Sequence, residues 1–299
     1  MDKPTEPLVR AAQLGKSYRG VRALDDCTLE VRPGEVFGLL GPNGSGKTTL
    51  LRLLLGFLKP TAGRATIAGL DSWREAVAAH RKLTYMPAEA RLFAHMRGRD
   101  LLKFFADVHP LGDLPRALRI AERLDLDLSR RALFCSSGMR QKIALAATLS
   151  ARAELAVLDE PTANLDPTAR RETLRMVREA RDEGRTVIFS SHVLPEVESS
   201  CDRAALLRAG KLAELIDVRA VRRQRRLLLR IATPLPPPPA EIAAEVETIP
   251  LGGGRYELLT PGELRPLLGW LAGLPLEDLR VEPVGLQAVY DRHHPPEAE

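Results

Sequence analysis

Residues 41–48 read Gly-Pro-Asn-Gly-Ser-Gly-Lys-Thr and follow the apolar run Val36-Phe37-Gly38-Leu39-Leu40. The form G-x-x-x-x-G-K-[ST], met between a strand and a helix, is a phosphate-binding loop. Glycines at 41, 44 and 46 permit positive φ and let successive N–H groups approach an anion. The helix that opens near Gly46 and runs through Leu54 aims its dipole, about half a positive charge, at the same spot. Lys47 can reach β- and γ-phosphates and the Thr48 hydroxyl suits Mg²⁺, while Pro42, Asn43, Ser45 and Thr49 complete the cradle. A glycine-rich turn that matches by accident is the bland alternative; the strand and helix on either side argue against it. The chain is expected to bind a nucleoside triphosphate.

Holding phosphates is not hydrolysing them, and hydrolysis needs carboxylates on a second strand. Leu155-Ala156-Val157-Leu158-Asp159-Glu160 is an apolar run ending in two acids, as a buried parallel strand with a functional tip would read. Asp159 is placed to serve Mg²⁺, and Glu160 to activate an attacking water as general base. Alone, the pair would be a solvated turn opening before Pro161. A third strand, Arg185 to Phe189, is followed by Ser190-Ser191-His192. His192 thus falls where ligands bind in open α/β sheets, within reach of a γ-phosphate, although a lone histidine is more often structural. Between these strands Cys135-Ser136-Ser137-Gly138-Met139 opens a helix. On its own that segment says only that the helix is capped, with a second anion-favouring start.

Together these segments resemble the nucleotide-binding subunit of an ATP-binding cassette (ABC) transporter, in the family's order and spacing over about residues 7–216. The Walker A loop is Gly41–Thr48 and the signature lies around Ser136–Met139. The Walker B strand is Leu155–Asp159 with Glu160, the D-loop is Asn164-Leu165-Asp166, and the switch is His192. The resemblance makes Tyr18, in Lys16-Ser17-Tyr18-Arg19-Gly20, the aromatic that stacks on adenine. It implies an α/β P-loop NTPase fold with a mixed sheet and an N-terminal antiparallel β part. It also implies ATP and Mg²⁺ as cofactors, Lys47, Glu160 and His192 as the catalytic group, and Thr48 and Asp159 at the metal. Two cassettes, alike or different, would close head to tail, so that Ser136, Gly138 and Met139 touch the ATP held by a partner and Asp166 lies at the dimer seam. Integral-membrane permease subunits are the implied partners, nucleic acid is not, and the implied location is the cytoplasmic face of the cell membrane.

Two departures matter. The signature reads Cys-Ser-Ser-Gly-Met where the family has Leu-Ser-Gly-Gly-Gln, a variant resembling cassettes paired with ABC-2-type permeases. In Thr84-Tyr85-Met86-Pro87-Ala88-Glu89, Ala88 stands where a Mg²⁺-contacting glutamine is usual. Either Glu89 takes over at the metal, or this loop couples to the permease without touching it.

The elements that must position these residues can be traced along the chain. Short strands are expected at Leu8–Ala11, Cys27–Val31, Val36–Leu40 and Arg64–Gly69. Residues 97–150 carry helical apolar spacing, with Leu101, Leu102, Phe104 and Phe105 and then Ala117, Leu118, Ala121 and Leu124, and should form an all-helical subdomain. Helices near 167–183 and 193–201 alternate with the remaining strands. From 217 to 299 a small α+β accessory domain is expected. It would begin with a solvated linker face bearing Arg219, Arg222, Arg223, Arg225 and Arg226, followed by a stiff loop at Pro234 and Pro236–Pro239.

At 299 residues and a net charge of +5, the chain has length for one large domain and a small appendage. The mild basic excess suits an anionic membrane surface but equally plain solubility. No run approaches the ~18 apolar residues of a membrane span; the densest stretch, Ile143 to Leu158, is broken by Arg152 and Glu154. Residues 1–7 have no apolar signal core. Cys27, Cys135 and Cys201 lack metal or redox spacing and read as buried thiols in a reducing compartment. Two rival readings follow from the same residues. One is a non-transport cassette acting on ribosomes or DNA, which the single cassette and the lack of a heptad insertion argue against. The other is a catalytically weak half of a heterodimer, which the altered Q-loop favours and the intact Lys47, Asp159, Glu160 and His192 oppose. The leading expectation is an ATP-hydrolysing subunit that drives a separate permease, in the export direction.

Overall fold

The structure, a computed structural model, describes residues 6–261 and 263–293. Its chain divides into two units, with the boundary between Ile216 and Asp217.

In β1 (Val9–Tyr18) and β2 (Val21–Val31), Val9, Ala11, Leu14, Cys27, Leu29 and Val31 are buried, and most of their neighbours are not, as a half-buried antiparallel pair requires. The hairpin is longer than the sequence pattern suggests. Its register shifts between Ala11 and Ser17, and Gln13 and Asp26 take positive φ. Such bulges carry a strand through stretches where alternation fails. Strand β3 (Val36–Leu40) is buried at every position, as a central parallel strand must be, and it feeds helix α1 (Lys47–Leu54). Next come β4 (Ala62–Ile67), β5 (Leu70–Asp71), α2 (Ala76–His80) and β6 (Leu83–Met86). Strands β4 and β5 join the hairpin in a sheet of order β2-β1-β4-β5.

Residues 97–150 are covered by α3 (Gly98–Val108), α4 (Leu114–Arg123), a short 3-10 turn at Ala132–Phe134 and α5 (Ser137–Ser150); one isolated bridge joins Arg97 to Arg131. The chain continues through β7 (Leu155–Asp159), α6 (Pro167–Asp182), β8 (Thr186–Ser191), α7 (Leu194–Ser200), β9 (Arg203–Arg208) and β10 (Lys211–Asp217). The second sheet has the order β10-β9-β3-β8-β7-β6, and β9, β3, β8, β7 and β6 run parallel to one another. Leu40 pairs with Ser191 and Asp159 with Ser190. The loops leaving β3, β7 and β8 therefore depart from one edge of the sheet, where open α/β sheets bind ligands. Leu50, Leu51, Leu53 and Leu54 of α1 share a core with Val9 and Leu14 of the hairpin and Val157 and Ile188 of the parallel strands. That shared core fixes the start of α1 against both sheets.

The second unit contains α8 (Val218–Arg223), β11 (Arg225–Ile231), α9 (Ala240–Ala243), β12 (Glu247–Gly252), β13 (Arg255–Thr260), α10 (Leu264–Leu271), β14 (Leu276–Pro283) and α11 (Gly285–His293). Its strands pair antiparallel in the order β12-β13-β11-β14, a split β-α-β arrangement over a core of Leu227, Leu229, Ile231, Leu258, Leu267 and Leu271. The arginine cluster is not a linker face. Residues 218–223 are helical, and Arg226 lies in β11 with ion pairs to Glu282 and Glu257. Strand β12 escapes the sequence pattern because it is a largely exposed edge strand containing Pro250, a residue that edges tolerate.

Candidate active site

Gly41 and Gly44 show why this loop is written in glycine. At Gly41 (φ 154°) a Cβ would sit 2.4 Å from the Leu207 carbonyl oxygen, so any side chain would displace the loop from the sheet. Gly44 (φ 80°) faces open space; there the left-handed backbone demands glycine. Helix α1 then starts at Gly46 with no side-chain cap and no acid in its first turn. Its leading N–H groups and its dipole are left for an anion. Lys47 is 6% exposed, and its ammonium donates to the carbonyls of Gly41 (2.6 Å) and Pro42 (3.2 Å). The Ser45 hydroxyl is buried in the same loop without a hydrogen-bond partner.

Strands β7 and β8 bring the acids to this loop. Thr48 Oγ1 lies 3.3 Å from Asp159 Oδ2, and Ser190 Oγ donates to Asp159 Oδ1 at 2.6 Å. The same Ser190 oxygen accepts from the Glu160 amide at 2.9 Å. Glu160 holds a left-handed backbone (φ 49°), which costs a non-glycine residue about 1–3 kcal/mol. Its side chain stands 3.6 Å from Lys47 Nζ through Oε1 and 2.9 Å from His192 Nδ1 through Oε2. A carboxylate oxygen only accepts, so Nδ1 of His192 is the donor. Burial, reinforced by the Asp159 charge, pushes the hydroxyl of neighbouring Tyr85 up to about 12. Lys47, Thr48, Asp159, Glu160 and His192 are therefore one contact chain across three strand ends.

The donor set fits Mg²⁺. A hydroxyl and a carboxylate oxygen are hard ligands, and Mg²⁺ characteristically takes one or two protein oxygens with phosphate and water supplying the rest. No group of three or more His, Cys, Asp or Glu side chains able to hold a metal exists among the described residues.

Other expected residues gather elsewhere. Ser136 caps α5, accepting from the Met139 amide at 3.2 Å. Gly138 lies so close to the Asn164 carbonyl that a Cβ would come within 2.6 Å of it. Asp166 caps α6 through the Thr168 and Ala169 amides and pairs with Lys142 at 3.4 Å. The Ala169 amide, with Lys142, holds its carboxyl below the usual aspartate range. Ser136, Gly138, Met139 and Asp166 thus form a second cluster, and no hydrogen bond or ion pair among the described residues joins Ser136 or Gly138 to the phosphate loop. Tyr18 ends β1, 45% exposed, with Lys16 Nζ 5.1 Å from its ring centre. It pairs with Val21, and the adjacent β2 backbone at Ala23 packs on Gly46, which sets this hairpin tip beside the loop. Glu89 is largely exposed and engaged by Arg91 at 3.0 Å. The contacts that join Thr48, Asp159 and Ser190 do not include it.

Three residues that the motif reading passed over hold the site together. Ser190 bridges Asp159 and the Glu160 amide. Gln141 donates to the Glu160 carbonyl at 3.1 Å, tying the α5 helix to the candidate base. Glu196, 4% exposed, accepts from Thr162 and Ser191, both at 2.8 Å, and so anchors the residue before His192. A polar Ser-Ser pair ending an otherwise apolar strand was the available signal for the first and third.

Comparison with known proteins agrees with this geometry. Residues 24–163 match the family described as ABC transporter. An uncharacterized ABC transporter ATP-binding protein of Bacillus subtilis, YdbJ, is 34% identical over 210 residues, which are 69% of this chain and 68% of that protein. The daunorubicin resistance ATP-binding protein DrrA3 of Streptomyces coeruleorubidus is 40% identical over 202 residues, 66% of this chain and 64% of the relative. A solved structure described as the ATP binding subunit of an ABC transporter superposes with a TM-score of 0.67 at 26% identity, covering 72% of this chain and 92% of that one. By fold and by sequence alike, the chain belongs to the ATP-binding proteins of ABC transporters, ATPases of the P-loop class.

Proposed function

We propose that this subunit hydrolyses ATP at the junction of the phosphate loop and the tips of β7 and β8, and that the work drives a separate membrane permease. The observation that carries the reading is the contact chain from Thr48 through Asp159 and Ser190 to Glu160, with Lys47 and His192 closing on the same carboxylate. In this reading the uncapped start of α1 and the Lys47 ammonium hold the β- and γ-phosphates. Tyr18 stacks on the base, and its exposure at the hairpin tip supports that role. Thr48 and Asp159 would hold Mg²⁺, which when bound neutralises phosphate charge. Glu160 takes the proton of the attacking water as the β–γ bond breaks. His192 fixes the orientation of that carboxylate and, through its other ring nitrogen, reads the γ-phosphate.

The second cluster supports a dimer. Ser136 spends its oxygen on the Met139 amide but keeps its own O–H, and Gly138 lets the helix start pack on the Asn164 carbonyl. Such a surface suits the triphosphate of a facing cassette. The reading places the pair on the cytoplasmic face, docked on permease subunits. The relative named for daunorubicin resistance supports the export direction of this reading.

The test is Glu160→Gln in the full chain. Phosphate release should fall by about 10²–10⁴-fold, ATP affinity should be kept, and a dimer should accumulate on gel filtration with ATP. Turnover at the wild-type rate in this variant would remove Glu160 from the role of base. A wild-type protein that binds ATP but releases phosphate only with a different cassette added would instead mark it as one half of a heterodimer.

A further inference from the structure

A second cleft, of about 550 Å³, lies away from the phosphate loop, between α4, the C-terminal end of α5 and α6. Arg116, Arg119, Arg123, Arg152 and Arg185 line it, against Glu179 and Glu183. The spacing of 116, 119 and 123 sets three of these guanidiniums along one face of α4, with Ala117, Ile120 and Ala121 turned into the core. A column of like charge opposes helix stability unless something neutralises it.

The neighbouring carboxylates do so only in part. Glu183 holds Arg116, Glu172 and Glu179 hold Arg123, and Asp113 holds Arg152; Glu172 and Glu179 are shared with Arg175. Arg119 is exposed and has no carboxylate within ion-pair distance among the described residues. Arg185 is 7% exposed. Its Nε donates to the Ala153 carbonyl at 3.0 Å and one terminal nitrogen to the Leu149 carbonyl at 2.8 Å. Those bonds explain it in part as a cation at the negative end of α5. They leave its other terminal nitrogen, Nη2, buried with no hydrogen-bond partner. Burial, with the Arg116 charge, pushes the guanidinium down to about 10, so at neutral pH it keeps its charge. A buried cation with one terminal nitrogen left unbonded is costly unless an anion meets it.

We propose that this cleft binds a small phosphate-bearing anion, held between Arg119 on α4 and Arg185 at the start of β8. Guanidinium forks match phosphate oxygens in pairs, and two such groups lining one cleft favour a ligand with more than one charge. The site joins the helical segment that leads to Ser136 with the strand that leads to Ser190. Its occupancy therefore stiffens the helical subdomain against the sheet, at a place apart from the phosphate loop.

The experiment uses the full chain carrying Lys47→Ala, so that the phosphate loop contributes little, and titrates pyrophosphate by calorimetry and thermal unfolding. Pyrophosphate should bind and raise the Tm. Adding Arg119→Glu, at an exposed position that disturbs no packing, should weaken binding by about tenfold or more and abolish the Tm rise, while Arg119→Lys should keep most of both. Arg185→Lys, which retains charge but loses the fork, should weaken binding without unfolding the protein. Co-sedimentation with phosphatidate vesicles that depends on Arg119 would identify the anion as a lipid headgroup; pyrophosphate binding without it would identify a free phosphate compound. Equal pyrophosphate affinity with and without Arg119→Glu, or no binding at all in the Lys47→Ala chain, overturns the proposal.

Discussion

The starts of α1 and α5 both carry glycine beside a polar residue, and they solve the same problem in opposite ways. Helix α1 begins at Gly46 with no side-chain cap, so its leading N–H groups point outward unspent. Helix α5 begins at Ser136, whose oxygen already accepts from the Met139 amide. A cap is worth about 1 kcal/mol to a helix. Leaving one out is tolerable where a ligand will do the same work, and α1 is also held from behind by Leu50, Leu51, Leu53 and Leu54 in the shared core. The contrast separates a pocket built to grip an anion alone from a surface that is stable by itself and offers only an O–H. On the proposed reading, one polypeptide holds a complete grip and half of another.

The largest effect should come from the grip. In Lys47→Ala the charge-assisted contacts to phosphate vanish; at about 1.5–3 kcal/mol for each hydrogen bond to a charged group, ATP affinity should drop by roughly 100-fold or more. Fluorescent-nucleotide titration checks this. An unchanged affinity would mean that the backbone of α1 does the gripping unaided.

Ser136 is the sharper probe of the comparison. Ser136→Asp keeps a good cap, since aspartate serves as well as serine at that position, but it presents a carboxylate where a partner's triphosphate should lie. Unfolding in urea should be close to wild type while turnover falls by about 100-fold, on the scale of a misplaced charge at a phosphate site. If Ser136 is merely a cap, turnover will survive intact.

Where physics is written into local residue types, the sequence was readable. The glycines at 41, 44 and 46, the apolar run before Asp159 and the helical spacing from 97 to 150 each state their structure in one segment. The bulged length of β1 and β2 was not readable, because Gln13 and Asp26 adopt left-handed conformations that the hairpin's pairing imposes and composition does not announce. Strand β12 was hidden for the opposite reason: an exposed edge has no hydrophobic face to declare. The motif residues were legible, but Ser190, Gln141 and Glu196 were not. Asp159, Glu160 and Thr162, which they respectively meet, lie 31, 19 and 34 positions away along the chain, and only folding shows which polar groups a buried strand end brings together. Glu89 is the converse case. Adjacency in sequence made it a candidate for the metal, whereas the folded chain gives it to Arg91.

Ser190 tests that hidden layer. Ser190→Ala removes the donor to Asp159 Oδ1 and the acceptor of the Glu160 amide together. Leaving a buried polar group unsatisfied costs about 1–3 kcal/mol, which urea unfolding would register. Turnover should fall by about tenfold through loss of positioning, with KM for ATP little changed because the phosphate loop is untouched. A large rise in KM with normal kcat would place Ser190 in binding instead.

The smallest effect concerns the far end of the second cluster. Asp166 caps α6 and pairs with Lys142, and its carboxyl is held below the usual aspartate range, chiefly by the Ala169 amide and then by Lys142. A carboxyl whose folded pKa is depressed stabilises the fold only while it is ionised. Its contribution is therefore complete above the ordinary aspartate range and is lost as pH falls through the lowered folded value. Asp166→Asn keeps a capping oxygen but cannot titrate. Urea midpoints of wild type and variant should differ slightly at pH 7, from the charge on the bond to the Ala169 amide and then from the Lys142 pair, and converge as the pH is taken below 3.8, the usual aspartate value. Asp166 is exposed although Lys142 is only part-exposed, so the difference at pH 7 should shrink somewhat in high salt. Because α6 and α5 meet at this pair, a loss of ATP-dependent dimer in Asp166→Asn without a matching loss of stability would show that the cluster serves the facing cassette and not only its own helix.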